Sequence, residues 1–97
     1  MEKLTNEEFK NQIARWQKLI TEQGITLPSG EPIPDKLFHV FLGVGYSTFK
    51  KMISGQDSQR NIQPYTVKAV RFINRLELTV FFDEIRNCIP VYIEKYR

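Results

Sequence analysis

One cysteine and one histidine in 97 residues place several classes of protein out of reach. Cys88 has no second cysteine with which to form an internal disulfide, and together with His39 it falls short of a zinc cage. No apolar run approaches the roughly 20 residues needed to span a bilayer, so no membrane association is expected. The opening residues Met1, Glu2, Lys3, Leu4, Thr5, Asn6, Glu7 and Glu8 are polar and acidic, unlike a secretory signal peptide. A reducing, cytoplasmic setting is the simplest expectation. Gly43 and Gly45 are not followed by Gly-Lys-Ser/Thr and no strand precedes them, which excludes a phosphate-binding loop. No acid or nucleophile stands near His39 in sequence, so it is read as a packing or surface histidine. Nothing assembles into an enzyme, and no catalytic residue, cofactor, metal or small-molecule ligand is expected.

What the chain does have is a hydrophobic fraction of 41% with 12% aromatics, enough for one modest core and one domain over residues 1–97. The charged fraction of 26% is ordinary for a folded chain and argues against wholesale disorder. The charge is unevenly placed. Residues 35–75 hold Lys36, Lys50, Lys51, Arg60, Lys68, Arg71 and Arg75 against only Asp35 and Asp57, a local excess of five, whereas the segments on either side are each slightly acidic. Such an excess attracts polyanions, and a merely solvated basic face is the competing explanation.

Periodicity predicts an all-α chain of about five helices. Thr5 with Glu8 forms a capping-box pattern, Phe9, Ile13, Trp16 and Ile20 share one face, and Gly24 is a natural stop, so a helix is expected from Asn6 to Gln23. The connector Ile25–Ile33, with Pro28, Ser29, Gly30 and Pro32, is turn-rich. A short helix from Asp35 to Leu42 ends at Gly43. A third, starting around Gly45–Ser47, reaches Ser54 with Phe49, Met52 and Ile53 inward, before Gly55. Pro64 suits the first turn of a fourth helix, whose stripe is Val67, Val70, Ile73 and Leu76. For residues 79–97 a helix from Val80 to Cys88 is expected, then a break near Pro90 and a terminal helical turn. A two-stranded pairing across a dimer is the alternative.

Two short helices around a glycine-containing turn are the elements of a helix-turn-helix. Val44 supplies an apolar plug beneath the turn, Phe49 and Met52 anchor the second helix, and Tyr46, Ser47, Lys50 and Lys51 remain outward, with Ser54 at the edge of that set. Hydroxyl and ammonium groups there can reach base edges and phosphates in a major groove.

Leu42, Gly43, Val44, Thr48, Phe49, Lys50, Lys51, Met52 and Gly55 fall in register with a known pattern. The stretch resembles the Cro and phage-repressor type of helix-turn-helix, over residues 34–76 with the motif core at 34–55. The resemblance implies a compact lambda-repressor-like bundle and sequence-specific binding of double-stranded DNA by a small transcriptional regulator, a repressor of phage or plasmid type. It places base reading on Tyr46, Ser47 and Lys51 with Lys50 adjacent, a phosphate-contacting hydroxyl on Thr48, and backbone contacts on Gln59, Arg60 and Asn61. Lys68 and Arg71 extend the basic face. Gly45 stands where the family has a polar N-cap, His39 where it usually has alanine, and the first connector is longer.

One module of this size buries little DNA, so a homodimer on a palindromic site is the expected form. The segment 79–97 is expected to supply its interface through Phe81, Phe82, Ile89, Tyr92 and Tyr96, on the view that the first four helices can already enclose a core. The competing expectation is that Phe81 and Ile85 fold back on the first helix. The alternative function is a protein-interaction module or inhibitor from a mobile element, using the same scaffold to bind a host protein.

Overall fold

The capping box forms as its spacing predicts. In the computed structural model, which describes residues 4–54, 62 and 64–96, Thr5 Oγ1 accepts from the Glu8 amide at 3.1 Å and the Glu8 carboxylate accepts from the Thr5 amide at 3.3 Å. These bonds start α1, Asn6–Glu22, which buries Phe9, Ile13, Trp16 and Ile20. Gly24, at φ +80°, takes the left-handed conformation that ends the helix without a Cβ penalty. The connector then folds on itself: Thr26 and Pro32 form an isolated antiparallel bridge, the Leu27 amide donates to Glu31 O at 2.9 Å, and Ile25 and Ile33 are buried.

The second helix starts later than expected. Asp35 and Lys36 form a tight turn, with the Leu37 amide donating to Pro34 O at 3.1 Å and Phe38 to Asp35 O at 2.9 Å. The helix proper, α2, is Leu37–Leu42, and it closes at Gly43 with φ +75°. Val44 is buried under the turn, and α3, Tyr46–Ser54, buries Phe49 and Met52 while Ile53 is half-buried. The fourth helix, α4, is Pro64–Asn74 and buries Thr66, Val67 and Val70.

The C-terminal segment differs from expectation. It is one continuous helix, α5, Leu78–Lys95, with Pro90 inside it, and neither a break nor a strand is present there. Pro90 cannot donate to the carbonyl of Arg86, a loss that commonly ends a helix. Both residues are exposed, so water can take that carbonyl, and the buried row Phe81, Phe82, Ile85, Cys88 and Ile89 holds the helix to the core.

Trp16 is the hub of that core. Its ring centroid lies 5.8 Å from Phe38, 6.1 Å from Phe41 and 6.0 Å from Phe81, which joins α1, α2 and α5. The indole Nε1–H donates to Asn74 Oδ1 at 3.2 Å, and the Asn74 amide donates to Gln12 Oε1 at 2.8 Å, tying in the end of α4. Helix α1 lies against α3, and α2 against α5. Among the described residues no helix is long and apolar enough to cross a membrane.

Candidate functional site

Helix α3 is held from two sides. From α1, Phe9 meets Phe49 edge-on with centroids 5.9 Å apart, and the Asn6 side-chain amide donates to the Met52 carbonyl at 2.9 Å. From the turn and α5 the support passes through His39, which is only 2% exposed. Its Nδ1 lies 2.9 Å from the Val44 carbonyl, which can only accept, so the proton is on Nδ1. Its Nε2 is hydrogen-bonded to the Tyr96 hydroxyl at the end of α5. The His39 ring also stacks obliquely against Tyr46 and Phe49, at centroid distances of 5.3 and 6.2 Å.

Lys36 closes this cluster from outside, with Nζ 3.8 Å from the Tyr96 ring centroid and 4.9 Å from that of Tyr46. A cation over aromatic faces at this range is attracted by their quadrupoles. Tyr92 stacks on Tyr96 at 5.2 Å. Its phenol is held above the ordinary value, first by burial and then by the neighbouring Tyr96, Tyr46 and Glu31. Lys36, His39, Tyr46, Tyr92 and Tyr96 therefore make one assembly that fixes the first turn of α3 to the last turn of α5.

This leaves a defined outward face. At about 100° per residue, Lys50, Ser54, Ser47 and Lys51 fall within an arc of about 100°, opposite the side carrying Phe49 and Met52. All four are exposed, and Thr48 is exposed on the flank. Tyr46 is 39% exposed at the first position of α3, with its ring engaged by His39 and Lys36. Lys68 and Arg71 are exposed on α4, and neither α3 nor α4 carries a carboxylate. Gln59, Arg60 and Asn61 lie outside the described residues.

The expected dimer surface needs correction. Phe81, Phe82, Ile85 and Ile89 are buried within the single chain, so they are not surplus apolar surface. Phe81 packs on Trp16 of α1 and Phe41 of α2, filling space that the first four helices leave open. Tyr92 is half-buried, and Tyr96 is partly exposed with its hydroxyl committed to His39.

Sequence reasoning missed the bracing role of His39, Lys36 and Asn6. One signal was available: His39 is the lone polar residue in the run Leu37-Phe38-His39-Val40-Phe41-Leu42, where burial requires hydrogen-bond partners. Cys88 is buried and its thiol is pushed up to about 11 by that burial, which makes it a poor nucleophile near neutral pH. Among the described residues no three His, Cys, Asp or Glu side chains gather as a metal site would require. No protein family model matches this chain, and no curated protein or solved structure matches it either.

Proposed function

We propose that this chain binds double-stranded DNA in a sequence-specific way, as a small transcriptional regulator acting in pairs. The observation that carries this reading is the outward face of α3. It presents Ser47, Lys50, Lys51 and Ser54 without a carboxylate, on a short helix braced from α1, from the turn and from α5. Rigid support matters because a base contact needs its donor held in place, and a side chain on a packed helix is better fixed than one on a loop. Ser47 and Lys51, one turn apart, are the base-edge readers, with Lys50 beside them. Thr48, Lys68 and Arg71 neutralise or bond phosphates, releasing counterions and setting the register on the duplex. Tyr46 has a structural share in this scheme, because its ring is engaged by His39 and Lys36.

A pair of protomers, each 38 × 30 × 19 Å, is of the right size to present two α3 helices about 34 Å apart, one turn of DNA. The test is selection of bound sites from a random DNA pool, with retention on nonspecific duplex across a salt series. A palindromic consensus and a steep loss of retention with salt support the reading. No retention at low salt and no enrichment refute it, and favour a protein partner for the same face.

A further inference from the structure

Among the described residues the largest departure from ordinary burial lies on α4. Phe72 is 67% exposed and Tyr65 is 58% exposed, although both are large apolar rings. At about 200 Å2 per aromatic side chain, the two leave roughly 250 Å2 open to water. Phe72 also forms one wall of a groove of about 420 Å3 between α2, α4 and α5, with Phe41, Ala69, Ile73, Val80 and Glu84. A protruding ring thus stands directly beside an apolar hollow of suitable size.

The charges around this groove are divided. Arg75 follows Phe72 at the end of α4, its amide donating to the Phe72 carbonyl at 3.1 Å. On the α5 side Val80 and Glu84, one turn apart, both line the groove and place a carboxylate on the opposite rim. Among the described residues neither Arg75 nor Glu84 has an ion-pair partner within the chain. A two-fold axis near Phe72 exchanges the rims, laying Arg75 of one copy over Glu84 of the other. The same operation brings each Phe72 to the other copy's hollow, as an isologous contact requires. The two aromatic rings alone supply about a third of the roughly 800 Å2 per partner that a stable interface buries.

We propose that two copies of this chain pair through the α4–α5 groove, with Phe72 of each seated in the groove of the other. This surface is distinct from the buried residues of α5, and it deepens only the pairing invoked in the DNA-binding reading.

The test is sedimentation equilibrium of the full chain without DNA, at concentrations up to about 100 µM. Wild type should show a concentration-dependent dimer. Phe72→Glu should raise the dimer dissociation constant roughly thirtyfold or more, as expected for a central aromatic anchor, with an unchanged helical circular-dichroism spectrum. Arg75→Glu and Glu84→Arg should each weaken pairing, and the double variant should recover it. Wild type that is monomeric throughout, or a dimer indifferent to Phe72→Glu, overturns the proposal. Retention of the wild-type chain on random duplex at low salt, read independently of its sedimentation, reports DNA binding separately, so either idea can fail alone.

Discussion

Removing the His39 ring should destabilise the fold far more than a typical polar substitution. His39→Ala leaves the Val44 carbonyl, 2.9 Å from Nδ1, without its donor under the buried turn, at a cost of about 1–3 kcal/mol. Tyr96 is partly exposed, so its hydroxyl can turn to water, and losing that bond costs about 1 kcal/mol. The void against Phe49 and Tyr46 adds a cavity cost of about 1 kcal/mol, which brings the total to about 3–5 kcal/mol. For a chain of this size each kcal/mol lowers Tm by about 4–8 °C, so thermal unfolding followed by circular dichroism should show a drop on the order of 20 °C. His39→Asn, whose amide can occupy the place of Nδ1, should recover part of it. Tyr96→Phe should cost about 1 kcal/mol in wild type and nearly nothing in the His39→Ala background, a coupling typical of residues in direct contact. A loss below 1 kcal/mol for His39→Ala, or equal effects of Tyr96→Phe in both backgrounds, would refute the bracing argument.

Lys51→Ala and Ser47→Ala should weaken binding to a selected site by on the order of 1–3 kcal/mol and relax base preference. Equal losses on selected and random duplex would show that neither side chain reads bases. Lys68→Ala and Arg71→Ala should lower affinity similarly on all sequences and flatten the salt slope by up to about one unit each, measured by titration at several ionic strengths. An unchanged slope would remove α4 from the DNA. Cys88 predicts a pH dependence: its folded pKa of about 11 lies above the value near 8.5 of an unfolded thiol. The folded state then holds the proton longer, so this contribution is full below about pH 8.5 and declines as pH rises towards 11. Urea midpoints across that window should fall more steeply for wild type than for Cys88→Ala, and identical slopes would show that the thiol does not contribute.

Local signals carried most of the helix assignment because the features they rest on are local. The capping box, Gly24, Gly43 and Pro64 each act within one turn of chain, and all lie at helix ends where expected. Pro90 obeyed a local rule that lost. The rule weighs one missing hydrogen bond, whereas α5 is held by Phe81 against Phe41 and Trp16, 40 and 65 positions away in sequence, which no local pattern contains. The same distance hid the bracing of α3. His39 and Tyr96 are 57 residues apart, and Asn6 and Met52 are 46 apart, so their contacts follow from the fold rather than from spacing.

The misplaced interface has a geometric cause that can be followed on α4 itself. Val67, Val70 and Ile73 recur at three-residue steps and look like a straight core stripe. Three residues turn an α-helix by about 300°, so such a stripe slips back about 60° at each step. From Val67 to Ile73 it moves about 120° around the helix, which is why Val67 and Val70 are buried and Ile73 is only half-buried. By that point the stripe has left the core and faces the α5 side, where it becomes a wall of the groove. Phe72 lies about 100° further round, on the open side, and a core of the first four helices alone lacks the aromatic layer that Phe81 provides against Trp16. The apolar residues of α5 are therefore needed at the hub, and the exposed apolar surface lies on α4, where the stripe winds away from the interior.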